Sequence, residues 1–169
     1  PLHLQPMQPR GATLVAGAAG FGGSHLVEHL LEQGEQVVAL DHPQARPDHL
    51  AAVRERIEYF GFDLAAGDAE TLRATLGGRV FKEVYHLAGL ASVRRSFGEM
   101  RRTLEVNALA TLNLVGALLR QGTPPRLLLV GSAEQYGAVA AGEAGILEDA
   151  PQQPVSPYAL SKVWQEALG

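Results

Sequence analysis

Short runs rich in valine and leucine alternate along this chain with longer stretches in which apolar residues recur at helical spacing. From Gly11 onward five runs stand out, over 12–17, 36–41, 56–63, 83–89 and 126–132. Continuous apolar runs of this length read as strands buried on both faces, and their alternation with helices predicts an α/β fold, a doubly wound parallel sheet. Between the first two runs, residues 21–33 carry Phe21, Leu26, Val27, Leu30 and Leu31 at helical spacing and stop at Gly34. A short helix is predicted over 68–76, closed by Gly77 and Gly78. The longest helix is predicted over 96–121, with Leu104, Ala108, Thr111, Leu112, Val115 and Leu119 on its inner stripe and Gly122, Pro124 and Pro125 ending it. A Gly/Ala-rich loop over 137–145 follows the fifth strand. The last helix is predicted over 158–168, with Pro157 near its first turn, where a missing N–H does no harm. Residues 1–10, with three prolines, read as a loose tail ahead of one domain over 11–169.

Composition narrows the classes. A chain of 169 residues is one ordinary domain on the usual prior of ~100–200 residues. It has no cysteine, which excludes disulfides, iron–sulfur ligation and Cys-containing zinc sites and fits a reducing cytosol. With 14 Lys+Arg against 18 Asp+Glu and no basic run, the net charge of −4 argues against a surface built for nucleic acid or anionic lipid. No apolar stretch reaches the ~20 residues a membrane span needs, and no secretory signal pattern is visible, so a cytoplasmic location without membrane partners is expected.

The first strand runs directly into Gly17-Ala-Ala-Gly20-Phe21-Gly22-Gly23 and then a helix. In that context glycines have separate uses. Gly17 takes the tight turn, Gly20 lets backbone approach a pyrophosphate, and Gly23 lets the helix pack on the strand, while the helix N-terminus offers N–H groups to an anion. A purely structural glycine loop is the alternative. Asp41 ends the second strand eighteen residues beyond Gly23, where a carboxylate accepts from the ribose hydroxyls of an adenosine and repels a 2′-phosphate. NAD is therefore the expected cofactor, with NADP the alternative because His42 and Arg46 could accommodate a phosphate. Tyr158 and Lys162, four apart on the last helix, share one face. A lysine beside a tyrosine eases deprotonation of the phenol, which gives acid–base chemistry on an alcohol or ketone. The Ser132 hydroxyl, at the carboxyl end of a strand, could donate to the same oxygen. Taken alone, the Tyr158–Lys162 pair would more often be a surface pair; the nucleotide turn upstream gives it meaning.

These segments together, GAAGFGG, Asp41, Asp63-Leu64, YHLAGLASV, NALATLNLVGAL, GSAEQYG and SPYALSK, resemble the N-terminal portion of the extended short-chain dehydrogenase/reductases, specifically the nucleotide-sugar epimerase/dehydratase family. The resemblance covers 11–169 and implies a Rossmann fold lacking most of a C-terminal substrate domain, since such relatives run to roughly twice this length. It implies that Asp63 and Leu64 border the adenine, that Leu87, Ala88 and Gly89 line the cofactor channel, and that Asn107 supports the active site. Ser132, Tyr158 and Lys162 would form the catalytic triad, with Lys162 also holding the nicotinamide ribose. Ser92 and Arg94 are candidate substrate contacts. A homodimer joined through the long helix and the Tyr158 helix is also implied, as is little or no turnover by this polypeptide alone.

Glu134 discriminates within the family. Family 4,6-dehydratases place a glutamate two residues after the catalytic Ser/Thr to remove the C5 proton, which weighs against a simple 4-epimerase. Ala133, however, stands where dTDP-glucose dehydratases carry an aspartate and GDP-mannose dehydratases a serine. The remaining pattern is similar to GDP-4-keto-6-deoxy-mannose reductases and GDP-mannose 4,6-dehydratases, implying a GDP-linked substrate. A UDP-sugar 4-epimerase is the alternative, and a non-catalytic dinucleotide-binding module is the alternative of another class. Glu134 could also be a solvated loop carboxylate. His25 and His29 have the i, i+4 spacing of a metal pair but no third ligand, so packing is expected and no metal. His86 reads as a satisfied buried histidine, and Arg94, Arg95, Arg101 and Arg102 as a solvated or dimer-facing stripe.

Overall fold

Strands β1 (Ala12–Ala16), β2 (Val37–Asp41), β3 (Glu58–Gly61), β4 (Phe81–His86) and β5 (Arg126–Leu129) pair in parallel in the order β3-β2-β1-β4-β5. They belong to a computed structural model that describes residues 11–138 and 145–169. The tail over 1–10 and positions 139–144 of the Gly/Ala-rich loop lie outside the described residues. Because the chain winds outward from β1 through β2 to β3 and then returns to β4 on the other side of β1, the winding reverses between β1 and β4. Ligands of open parallel sheets bind beyond the carboxyl ends of the strands at such a reversal.

Successive side chains of a strand point to opposite faces, and the core divides accordingly. Leu14, Ala16, Val38 and Leu40 join α2 (Ala69–Thr75) and α5 (Ala110–Leu118) in one cluster. Val15, Val37 and Ala39 meet α1 (Phe21–Glu32) and a 3-10 segment, Asp48–Arg56, in the other. That segment is absent from the periodicity reading because only Leu50 and Val53, three apart, face inward. Among the described residues no helix is long and apolar enough to cross a membrane.

The long helix departs from expectation at its start and in its phase. Residues 93–96 form a separate single turn, α3 (Val93–Ser96), and the continuous helix begins with α4 (Met100–Leu104), after Phe97-Gly98-Glu99. Glycine costs about 1 kcal/mol relative to alanine in a helix, which favours the break at Gly98. A π turn, Glu105–Leu109, then links α4 to α5, and a 3-10 turn, Leu119–Gln121, closes the helix. Of the predicted stripe only Ala108 and Thr111 are buried; Leu104 and Val115 are half-buried, while Leu112 and Leu119 are 48% and 66% exposed. The core takes Thr103, Asn107, Leu114, Ala117 and Leu118 instead. This helix is apolar around most of its girth, so hydrophobicity alone selects the wrong stripe, and three of the buried positions, Thr103, Asn107 and Thr111, are polar.

The last helix, α6 (Pro157–Leu168), starts one residue earlier than predicted, capped by Ser156 Oγ, which accepts from Ala159 N–H at 3.0 Å. It packs on α3, α4, the π turn and α5. Truncating the fully buried Leu114 to alanine should lower unfolding free energy by about 2–5 kcal/mol, from lost transfer energy and a residual cavity. Leu112→Ala should cost less than about 1 kcal/mol. Urea denaturation of both variants checks which stripe faces the core.

Candidate functional site

The turn after β1 has its shape because two of its residues lack side chains. Gly17 has φ +86°, and a Cβ there would come within 2.5 Å of the Ala88 backbone nitrogen. One on Gly23 would collide with the Gly17 carbonyl, so α1 can lie close against the strand only with glycine at that position. Gly20 caps α1 without a side-chain hydrogen bond, and the first turn carries no acid. The N–H groups of that turn and the positive end of the helix are thus left for an anion. Phe21 and Gly22 are exposed beside them.

Polar groups from three strand ends converge on the same rim. The Asp41 carboxylate accepts from Ala19 N–H at 2.8 Å, tying β2 to the glycine turn, and from His42 N–H at 2.7 Å. His42 Nε2 lies 3.3 Å from Asp63 Oδ2. Asp63 Oδ1 accepts from the N–H groups of Ala65 and Ala66. Partial burial pushes the Asp63 carboxyl up, but those two N–H groups and the His42 imidazole outweigh it and hold the group below the ordinary carboxylate range. Between this rim and the loop after β4 runs a groove of about 890 Å³ whose walls include Gly17, Gly20, Asp41, Leu64, Leu87 and Gly89. The residues fit a dinucleotide: backbone too close for side chains at the turn, an uncapped helix end, and a carboxylate at the end of β2.

A second cluster lies beyond β5. Ser132 caps the 3-10 turn Ala133–Tyr136 in a reciprocal box: its hydroxyl accepts from Glu134 N–H at 3.3 Å, and Gln135 Oε1 accepts from Ser132 N–H at 2.8 Å. Tyr158 and Lys162 are both buried, one turn apart on α6. Lys162 Nζ donates to the Val130 carbonyl at 2.9 Å and to Gln165 Oε1 at 2.7 Å, which brings the ammonium to the end of β5. Burial lowers its pKa to about 8. Asn107, wholly buried on the π turn, accepts from Leu90 N–H at 2.7 Å and donates to Leu90 O at 3.0 Å and to Ser161 Oγ at 2.8 Å. Its amide thereby joins the loop after β4 to α6 between Tyr158 and Lys162.

Other expected residues sit apart. Glu134 projects from the 3-10 turn, exposed, and Ser92 and Arg94 are exposed at α3, where Ser92 serves as the helix cap. His25 and His29 are exposed, with His25 3.6 Å from Glu28 and edge-on to Phe21. Among the described residues no group of three acidic, His or Cys side chains could hold a metal. His86 is only half satisfied: Nε2 meets Thr111 Oγ1 at 2.9 Å, while buried Nδ1 has no partner. The Thr111 hydroxyl donates to the Asn107 carbonyl, so His86 supplies its proton from Nε2.

Sequence reasoning passed over Ser161, Gln165, Gln135 and Glu166. Gln135 is buried and donates to Glu166, which also accepts from Gln152 at 3.2 Å, while Gln135 O accepts from Gln153 N–H. The legible signal was polarity persisting at Lys162, Gln165 and Glu166 along the Tyr158 helix.

Glycine turn, rim carboxylates and the buried Tyr158–Lys162 pair together define a dinucleotide-binding α/β fold with acid–base groups at the carboxyl ends of its strands. Residues 14–169 match the family model described as GDP-mannose 4,6 dehydratase. A GDP-mannose 4,6-dehydratase of Sordaria araneosa is 35% identical over 98% of this chain and 30% of its own length. A UDP-glucose 4-epimerase of Mycolicibacterium smegmatis is 35% identical over 89% of this chain and 48% of its own. The solved dTDP-glucose 4,6-dehydratase of Streptomyces venezuelae, with NAD bound, superposes with a TM-score of 0.82 at 30% identity, covering 93% of this chain and 50% of that one. The chain belongs to the nucleotide-sugar dehydratase/epimerase family of the extended short-chain dehydrogenase/reductases. It spans half or less of the length of these relatives.

Burial, reinforced by the nearby Lys162 ammonium, lowers the His86 pKa to about 4, so below pH 6.5 the unfolded chain takes up a proton that the fold refuses. Stability should therefore fall as pH drops from about 6.5 towards 4, and His86→Asn should flatten that limb in pH-dependent thermal melts.

Proposed function

We propose that this chain is the cofactor-binding and acid–base portion of an enzyme acting at C4 of a nucleotide-linked sugar. The observation that carries this reading is the burial of Tyr158 and Lys162 one turn apart on α6, with Lys162 hydrogen-bonded to the Val130 carbonyl just beyond β5, two residues before Ser132 in the chain. NAD, when bound, supplies the hydride acceptor and donor. Gly17, Gly20, Phe21, Gly22 and Gly23 hold its diphosphate, Asp41 its adenosine ribose, and Asp63, Leu64, Leu87, Ala88 and Gly89 the adenine side and channel. Each Asp41 oxygen spends one acceptor site on backbone and keeps another for a ribose hydroxyl.

The Tyr158 phenol exchanges a proton with the sugar 4-oxygen, and Lys162, four residues on, shares its face of α6. Ser132 donates to the same oxygen. Asn107 acts through Leu90 and Ser161, holding the channel loop against the catalytic helix. Glu134, exposed beside Ser132, is the base for a C5 proton if the reaction is a dehydration.

A GDP-4-keto-6-deoxy-mannose reductase or GDP-mannose 4,6-dehydratase is the favoured activity, on the Gly131-Ser132-x-Glu134-x-Tyr136-Gly137 pattern and the family match. The 35% identity to a UDP-glucose 4-epimerase keeps 4-epimerisation as the second reading. Leu109, Leu112 and Trp164, exposed on α4–α5 and α6, give two copies of the chain a face to pair through.

Fluorescence titration with NADH and NADPH should show saturable binding with NADH preferred, and Asp41→Ala should erase the preference. A preference for NADPH overturns the role given to Asp41, and binding of neither overturns the cofactor assignment. For the activity, incubating the whole protein with GDP-mannose, GDP-4-keto-6-deoxy-mannose or UDP-glucose and identifying products separates the readings. Tyr158→Phe should lower turnover at least ~100-fold if the phenol is the acid–base group.

A further inference from the structure

Arg102 is the one lysine or arginine among the described residues lining the groove, which also presents the carboxylates of Asp41, Asp63 and Glu105. A diphosphate entering so acidic a channel has the N–H groups of α1 on one side, but the first turn of α1 offers no cationic side chain. Two arginines near Arg102 in the chain are already committed. Arg95 meets Glu99 at 2.9 Å and Arg101 meets Glu105 at 2.7 Å, each one turn ahead. One turn ahead of Arg102 stands Val106, itself part of the groove wall, and the Arg102 side chain is exposed with no carboxylate within ion-pair distance.

Helix geometry explains its placement. Arg102, Val106, Leu109 and Ala110 recur at helical spacing and all line the groove. Asn113, the next position of that stripe, donates to the carbonyls of Leu64 at 2.8 Å and Gly67 at 2.6 Å, which pins the stripe to the loop after β3. The helix thus lies along the groove with Arg102 at the end away from the adenine side. An arginine fork pairs with two phosphate oxygens at once, a geometry lysine does not match.

We propose that Arg102 closes over the groove and pairs with the diphosphate of the bound dinucleotide, opposite the N–H groups of α1. This rests on the groove being a dinucleotide site. The diphosphate of a sugar nucleotide presents the same chemistry, so both sources are tested. Binding of NADH, ADP, GDP and adenosine to the 169-residue chain is measured by calorimetry or ligand-observed NMR for wild type, Arg102→Gln and Arg102→Lys. Arg102→Gln should weaken NADH and ADP about tenfold and flatten their salt dependence, Arg102→Lys should lose about threefold, and adenosine should bind all three alike. Unchanged NADH and ADP binding in Arg102→Gln, or an equal loss with adenosine, overturns the proposal while leaving the groove reading intact. Weakened GDP with unchanged ADP overturns it in favour of the sugar nucleotide. A wild-type chain that binds neither NADH nor ADP overturns the groove reading and this proposal with it.

Discussion

The Asn107 carboxamide holds together the parts that have to be in register. Its three hydrogen bonds run to both backbone groups of Leu90 and to Ser161, so one buried side chain sets the distance between the channel loop after β4 and the helix bearing Tyr158 and Lys162. Loss of that amide would take both partners from the half-buried Leu90 backbone groups, at up to about 1–3 kcal/mol for each group left unsatisfied, and would leave Ser161 with only its bond to the Tyr158 carbonyl. Packing around it leaves little slack: a Cβ on Gly89 would press on Asn107 Oδ1 at 3.0 Å. The site is therefore a property of one polar joint between elements far apart in sequence rather than of any single loop.

Around that joint, charge is organised by burial. The Lys162 ammonium is kept in the interior by a carbonyl and an amide oxygen rather than by a carboxylate, so it remains available to favour negative charge on a neighbouring oxygen. Neutral His86 lies beneath it, and an imidazolium there would oppose the ammonium. On the rim of the groove, Asp41 and Asp63 each accept two backbone N–H groups, and those on Asp63 help hold its carboxyl below the ordinary carboxylate range. The groove thus has an acidic rim on the β2–β3 side, while the Lys162 ammonium is buried just beyond β5.

Local features with a steric or periodic cause were legible before the fold was seen. The five strands, the glycine turn and the Tyr158–Lys162 face follow from continuous apolar runs, from positions where a Cβ has no room, and from a four-residue spacing. The 3-10 segment Asp48–Arg56 was not legible, because two inward residues make no period. Nor was the stripe of the long helix, whose interior side includes Thr103 and Asn107 while Leu109 and Leu112 point outward. Hydrophobicity ranks those positions in the reverse order, and only the hydrogen-bond partners of the buried polar pair restore it. Gln135 and Glu166 escaped for a related reason: their link spans two distant segments and has no signature in either.

The π turn between α4 and α5 makes this helix a part with two orientations. An ordinary α-helix advances 100° per residue, so the wider turn at Glu105–Leu109 delays everything after it and rotates the second half relative to the first. Asn107 can then meet α6 while Leu114 and Leu118 settle over the sheet with α2. Deleting a single residue from that turn would restore a regular helix and keep nearly the whole composition of the chain. The Tyr158 helix and the core would then be asking for incompatible rotations of the same rod, which makes the length of this segment, more than the identity of most of its residues, the quantity that cannot change.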